Sequence, residues 1–279
     1  MFETSITQFQ ECSSPTTSTL YDVSFIDSNT GVAVGDSGTI IRTIDGGANW
    51  ITIMADETVS FKKVKFFNDK NGISIGTDIY ITNDAGATWI KSTNSNNQYI
   101  DVEILNDSTC IISGMRNRII KSTNYGADWV TLVSDTLDYE ILQMSFIDEN
   151  IGYSTHWAGS VINSTLKTID GGRTWAEIKD ESGGHFTLLE DINFISEDIG
   201  FRGGWYDSHI MRTQNSSYYW TDVSLADSIK PQGYGIFDFH IDKLQPKAFY
   251  ACGWHGKIFK STDEGTSWIR LRGKTSPSR

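Results

Sequence analysis

Carboxylates at a fixed spacing are the first residues in this sequence that could do chemistry. Asp45, Asp84, Asp170 and Asp263 each stand third in an octet that reads hydroxyl-x-Asp-x-Gly-x-x-Trp: Thr43–Trp50 (TIDGGANW), Thr82–Trp89 (TNDAGATW), Thr168–Trp175 (TIDGGRTW) and Ser261–Trp268 (STDEGTSW). Two weaker copies complete the set. Ser122–Trp129 carries Asn124 for the Asp, and Thr213–Trp220 carries Asn215 for the Asp and Ser217 for the Gly. Repeated carboxylates could hold calcium or act in catalysis. The octet as a whole speaks for a turn instead. A short acidic or amide side chain accepts from backbone N–H groups just ahead of it, Gly takes a conformation that a side chain forbids, and Trp buries a ring beyond the turn. The four aspartates therefore read as structural.

A second set of residues points to binding. Trp157, Trp205 and Trp254 fall at one equivalent position in three successive repeats, with His156, Tyr206, Asp207 and His255 beside them. Flat rings interleaved with polar tips suit a platform for sugar faces or peptide side chains. These seven are the predicted ligand-binding residues, and the expected ligand is a glycan or a protein segment. No catalytic residue, metal ligand or cofactor is expected. The competing reading is a glycan-active enzyme, a glycoside hydrolase or polysaccharide lyase, drawing on Asp207, Asp191, Glu190, His185, His240 or Tyr206. A sialidase would need three arginines converging on a carboxylate. Only Arg116, Arg118 and Arg202 are placed to reach the same face, and no Arg-Ile-Pro signature opens the chain.

Something must position these side chains, and the text between octets supplies it. Ahead of each octet come an alternating apolar stretch (Val23–Asp27, Val64–Asn68, Val102–Asn106, Met144–Asp148, Ile192–Ile195, Ile236–His240), a second stretch opened by a small or apolar residue such as Gly31–Val34, and a third running into the octet. The Trp is expected to open a fourth strand. No helical period appears. Units of four short antiparallel strands recur every 39 to 48 residues by the Trp positions, and one such sheet cannot cover both faces alone. The expected fold is all-β, a six-bladed β-propeller with octet turns, forming one domain over 1–279.

The octet resembles the Asp-box, or bacterial neuraminidase repeat, and Gly31–Trp50 (GVAVGDSGTIIRTIDGGANW) resembles repeats of the photosystem II stability/assembly factor family. The resemblance implies a propeller. It leaves activity open, because such propellers include sialidases, other glycan-active enzymes, sortilin-type receptors and non-catalytic assembly factors. It also implies seven blades, where only six octets can be counted.

Bulk properties narrow the partners. Formal net charge is -12 over 279 residues with a sequence pI near 4.8, and the only local cluster of lysines is Phe61–Phe67 (FKKVKFF). Nucleic acid and anionic membrane surfaces are excluded on that ground. No stretch approaches the apolar run that spans a bilayer. Cys12, Cys110 and Cys252 cannot all pair, and the last two sit in apolar patterns expected to bury them as free thiols. The opening MFETSITQFQECSS is not an export signal as written, while the content of Trp, Asn, Ser and Thr favours an exported origin with the signal removed. Ring closure is expected to involve Ile6–Cys12 as a strand on the outer side of the last blade.

Overall fold

The computed structural model describes residues 12–93, 98–116, 118–133, 140–157, 164–179, 181, 189–204, 210–223, 236–241, 248–253 and 257–271. They form twenty-four strands in six antiparallel four-stranded sheets. Blade one is β1 (Leu20–Phe25), β2 (Gly31–Gly35), β3 (Ile40–Thr43) and β4 (Ile51–Met54). Blade two is β5 (Phe61–Phe66), β6 (Gly72–Gly76), β7 (Ile79–Thr82) and β8 (Ile90–Lys91). Blade three is β9 (Tyr99–Ile104), β10 (Cys110–Gly114), β11 (Arg118–Ser122) and β12 (Val130–Val133). Blade four is β13 (Glu140–Phe146), β14 (Gly152–Trp157), β15 (Ser164–Thr168) and β16 (Ala176–Lys179). Blade five is β17 (Leu189–Phe194), β18 (Gly200–Gly204), β19 (Met211–Thr213) and β20 (Thr221–Asp222). Blade six is β21 (Ile236–Ile241), β22 (Phe249–Gly253), β23 (Lys257–Ser261) and β24 (Ile269–Leu271). The chain is an all-β, six-bladed β-propeller, with no helix among the described residues.

Alternation explains why the blades stack. Along the second strand successive side chains point to opposite faces, so one set meets the next blade and the other the previous one. Val32, Val34 and Ile40 of blade one pack on Phe61, Val64 and Tyr80 of blade two. Ile73, Ile75 and Ile79 then meet Tyr99, Val102 and Ile112 of blade three. Three more such cores join blades three to four, four to five and five to six. Apolar burial between sheets is the main favourable term here, and each blade depends on its neighbours for it.

The octets close the turns between third and fourth strands in the way their residue types require. In all six, the first hydroxyl accepts from the N–H of the fifth residue, as from Gly172 to Thr168 Oγ1 at 3.0 Å, and donates to the third residue. The carboxylate oxygen also accepts from the seventh N–H, for example Thr174 to Asp170 at 2.9 Å. Its other oxygen accepts from the seventh side chain, as from Thr174 Oγ1 at 2.6 Å. The Asn124 copy inverts this last bond: Asn124 Nδ2 donates to Asp128 at 2.9 Å, so an amide with a downstream acid replaces an acid with a downstream hydroxyl. Two consecutive residues per octet have positive φ, and the first of them is not glycine in four copies: Ala85, Tyr125, Ser216 and Glu264. Asp170→Ala should cost about 1–2 kcal/mol, as loss of an end-capping acceptor does, checked by urea denaturation. An unchanged midpoint would contradict the structural role.

The octet Trp closes the turn rather than opening a strand. Each fourth strand starts one residue later, at Ile51, Ile90, Val130, Ala176, Thr221 and Ile269, because the indole turns inward, edge-on to an inner-strand Phe in pairs such as Phe146 and Trp175. Trp89, Trp175 and Trp268 donate to the carbonyl of their own octet glycine at 3.2 Å.

Candidate functional site

Two places in this fold can do chemistry: the axial channel lined by the first strand of each blade, and the face bearing the connections between second and third strands. Every first strand carries a bulge. At or just after it stands Asp22, Lys63, Asp101, Gln143, Asp191 or Asp238, a polar residue at one equivalent position of every first strand. Lys63 feels Asp101, Asp191, Asp22 and Asp238 together, which outweighs the cost of its burial and raises its pKa. The five charged positions therefore face a common axis, and Gln143 holds the equivalent place in β13.

Three of these carboxylates are spent on joining blades. Asp22 accepts from Val64 N–H at 2.8 Å, Asp101 from Met144 N–H at 2.7 Å, and Asp191 from Phe239 N–H at 2.9 Å. Each clasps the blade that follows, so blades one and two, three and four, and five and six are tied in the same manner. The intervening joints use other bonds. Lys65 pairs with Glu103 at 2.7 Å between blades two and three, and Phe194 N–H donates to Ser145 Oγ at 2.8 Å between blades four and five. Burial, with Asp238 nearby, pushes the Asp191 carboxyl well above the ordinary range against the pull of Lys63 and the Phe239 N–H. Burial likewise raises Asp22, Asp238 and Glu103. Asp238 is accessible from the channel but enclosed by neighbouring strands, which reconciles its exposure with its raised pKa.

Sequence reasoning missed this column, although its signal was present as a charged or amide residue directly before the Val, Met, Ile or Phe at the middle of each inner strand, as with Asp22 before Val23 and Asp101 before Val102. Of the residues weighed for an enzyme, Asp191 sits in the column, and its clasp recurs in Asp22 and Asp101, which marks it as structural. His240 lies two places beyond Asp238 in β21, exposed. Glu190 is in β17, its side chain outside the described residues, as are His185, Tyr206 and Asp207. Arg202 does not reach the solvent face: it is fully buried, stacked 4.3 Å from the ring of Trp220, because its alternation turns it between blades. No three His, Cys, Asp or Glu among the described residues group as a metal site.

On the face of the second-to-third connections, register defines one equivalent position. Gly35, Gly76, Gly114, His156, Gly204 and Gly253 each pair with the start of the first strand of their blade. The residues that follow are Asp36, Thr77, Met115, Trp157, Trp205 and Trp254. In blades one and two this position is structural: Asp36 accepts from Tyr21 Oη and Ser60 Oγ at 2.8 Å, and Thr77 Oγ1 accepts from Ser60 N–H at 3.2 Å. Met115 is half exposed. Trp157 ends β14 opposite Glu140, its side chain outside the described residues, and Trp205, Tyr206, Asp207, Trp254 and His255 lie outside them altogether. His156 is buried within the sheet, and that burial lowers its pKa and holds the imidazole neutral against Glu177; it does not present to solvent.

Comparison with known proteins places this geometry. Residues 2–137, just under half of the chain, match the family described as photosynthesis system II assembly factor YCF48. A Paenibacillus xyloglucanase is 23% identical over 85% of the chain, but the chain spans only 24% of that enzyme. The chloroplastic photosystem II stability/assembly factor HCF136 of Oryza sativa subsp. japonica is 22% identical, over 90% of this chain and 70% of that protein. A solved structure of YCF48 bound to a D1 peptide superposes with a TM-score of 0.71 at 19% identity, covering 92% of this chain and 81% of its own. In repeat text, blade architecture and the match over its first half, this Asp-box propeller is similar to the photosystem II assembly factors.

Proposed function

We propose that this propeller is a non-catalytic binding module that engages a protein segment across the face carrying Trp157, Trp205 and Trp254, with Tyr206, Asp207 and His255 as polar neighbours. The observation that carries the reading is a division of labour. The channel carboxylates Asp22, Asp101 and Asp191 are consumed in clasps between blades, while the position that serves as a structural tie in Asp36 and Thr77 is given to Trp in blades four to six. Rigid aromatic anchors are what binding hot spots use. The peptide bound to the YCF48 structure supports a protein ligand, and the xyloglucanase likeness supports a glycan as the second reading. The chloroplastic relatives support an exported compartment.

Titrating a peptide library and an oligosaccharide panel, each followed by Trp fluorescence, separates the two readings. A saturable response to peptides that weakens about tenfold or more in Trp254→Ala is expected, the scale of a lost Trp anchor. Saturation by oligosaccharides alone transfers the site to glycans. Turnover of any glycan, or undiminished affinity in Trp254→Ala, would refute the proposal.

A further inference from the structure

Among the described residues the ring has five packed joints and one uncovered one. Each second strand through blade five packs on the next blade's first strand, but neither β21 nor β22 packs on β1 in that way. Both walls of the joint between blades six and one show it. Val64, Val102, Met144, Ile192 and Phe239 are buried, yet Val23 at the same register is 53% exposed, and Leu20 is 37% exposed where Phe61, Tyr99, Ile141 and Ile236 are buried. On the opposite wall Tyr250, Cys252 and Ile258 point away from the core that Phe249 and Ala251 share with blade five. Cys252 is exposed and the other two half-buried, whereas Val32, Val34 and Ile40 of blade one are completely buried. Free-thiol burial expected for Cys252 thus fails for a physical reason: it faces this joint.

The octet glycines give a third indication. A Cβ at Gly86 would stand 2.5 Å from Val32 of the preceding blade, and at Gly126 2.9 Å from Ile81; at Gly172 and Gly265 it would overlap Ile111 and Phe201. At Gly47 it would meet nothing nearer than Trp50 of its own blade, 3.6 Å away. Among the described residues, no other blade comes close to the glycine of the first octet.

We propose that residues 1–11 seat in this joint, covering Leu20 and Val23 on one wall and Tyr250 and Ile258 on the other. The predicted strand Ile6–Cys12 lies outside the described residues except for Cys12, which is exposed and in no strand, so the joint gives the segment a place other than the outer edge of blade six. The stretches on either side of the described blades differ in what they can offer. Residues 1–11 contain Met1, Phe2, Ile6 and Phe9, whereas residues 272–279 (RGKTSPSR) contain no large apolar side chain. Residues 12–19 connect the segment to β1 through local hydroxyl bonds, Thr16 N–H to Ser14 Oγ at 3.3 Å and Ser18 N–H to Thr16 Oγ1 at 3.0 Å, which put bends in the connection. Eleven extended residues reach roughly 36 Å, well over the length of one strand. Tethering also gives the segment an effective concentration of order mM, ahead of any untethered competitor.

Cys252 reports the seat directly. Reachable from solvent at the open joint yet hemmed in by neighbouring strands, its thiol is pushed up to about 11 by that partial enclosure and by Asp238 and Asp191, so rates are compared as ratios at one pH, in a Cys12→Ser background with Cys110 buried. The expected result is maleimide labelling of Cys252 about tenfold or more faster in Ile6→Asp/Phe9→Asp than in the otherwise identical chain. A synthetic peptide of residues 1–11, added to the chain beginning at residue 12, should slow labelling saturably. Equal labelling rates with no effect of the peptide overturn the proposal. Protection of Cys252 that grows with protein concentration overturns it too, assigning the joint to a second copy.

Discussion

Gly86→Ala should destabilise the propeller by about 2–5 kcal/mol while Gly47→Ala costs about 1–2. Both glycines close the same octet turn with nearly the same backbone, φ +79 and +89, and an L side chain in that region costs roughly 1–2 kcal/mol at either site. The difference lies in what stands opposite. The alanine methyl at Gly86 falls 2.5 Å from Val32 Cγ2 across a packed joint, and forcing an extra carbon into such a core adds about 1–3 kcal/mol. At Gly47 the nearest atom is 3.6 Å away, an ordinary contact. In thermal unfolding the first variant should melt several degrees below the second, since a chain this size loses roughly 2–4 °C per kcal/mol. Equal losses would mean that the joint before blade one is as tightly filled as the others.

Much of this architecture was legible in the sequence because its signals are local. An octet that fixes a turn through its own side chains, as Thr168, Asp170, Gly172 and Thr174 do, carries its structure wherever it occurs, and alternation in GVAVG or GISIG needs only neighbours. The position of the octet Trp was misjudged by one residue because burial of the indole, a tertiary event, overrides strand propensity. The axial column was missed for the same reason. Asp22, Asp101 and Asp191 make their defining bonds to residues 42, 43 and 48 positions away, and nothing beside them in sequence announces those partners. His156 beside Trp157 looked like a polar tip of an aromatic surface, but period-two alternation sends adjacent residues to opposite faces, and the sheet buries the histidine. Arg202 illustrates the limit of counting loops: only packing shows that it lies between blades, over Trp220.

Asp191→Asn should stabilise the protein at pH 7 and leave it nearly unchanged near pH 4. The folded carboxyl is raised by burial and by Asp238, so above the ordinary carboxylate range of about 4 the folded state holds a proton that the unfolded chain has released. Stability must therefore fall as pH rises from about 4 to the raised folded value, and level off beyond it. Asp22, Asp238 and Glu103 act in the same direction. Lys63 and Lys65 oppose them across the channel, Asp101 and His240 face the same space, and Gln143 of β13 is neutral. The octet carboxylates run the other way: hydrogen bonds from the turn lower Asp45, Asp84, Asp170 and Asp263, so their contribution is complete above about pH 4 and lost only below it. The two sets occupy separate windows, and the propeller should be most stable in weak acid. Asparagine keeps an oxygen for the Phe239 N–H and removes the carboxyl whose proton uptake on folding costs stability above about pH 4, for a gain of about 1 kcal/mol at pH 7 and a shallower decline between pH 5 and 7. Asp191→Leu removes the acceptor as well and leaves that N–H unsatisfied, at a cost of about 1–3 kcal/mol across the range. Chemical denaturation of both variants at pH 4, 5 and 7 distinguishes charge from clasp. Were Asp191→Asn to lose stability by the same amount at every pH, the carboxylate would be an ordinary ionised acceptor and the raised axial column would not govern the pH response.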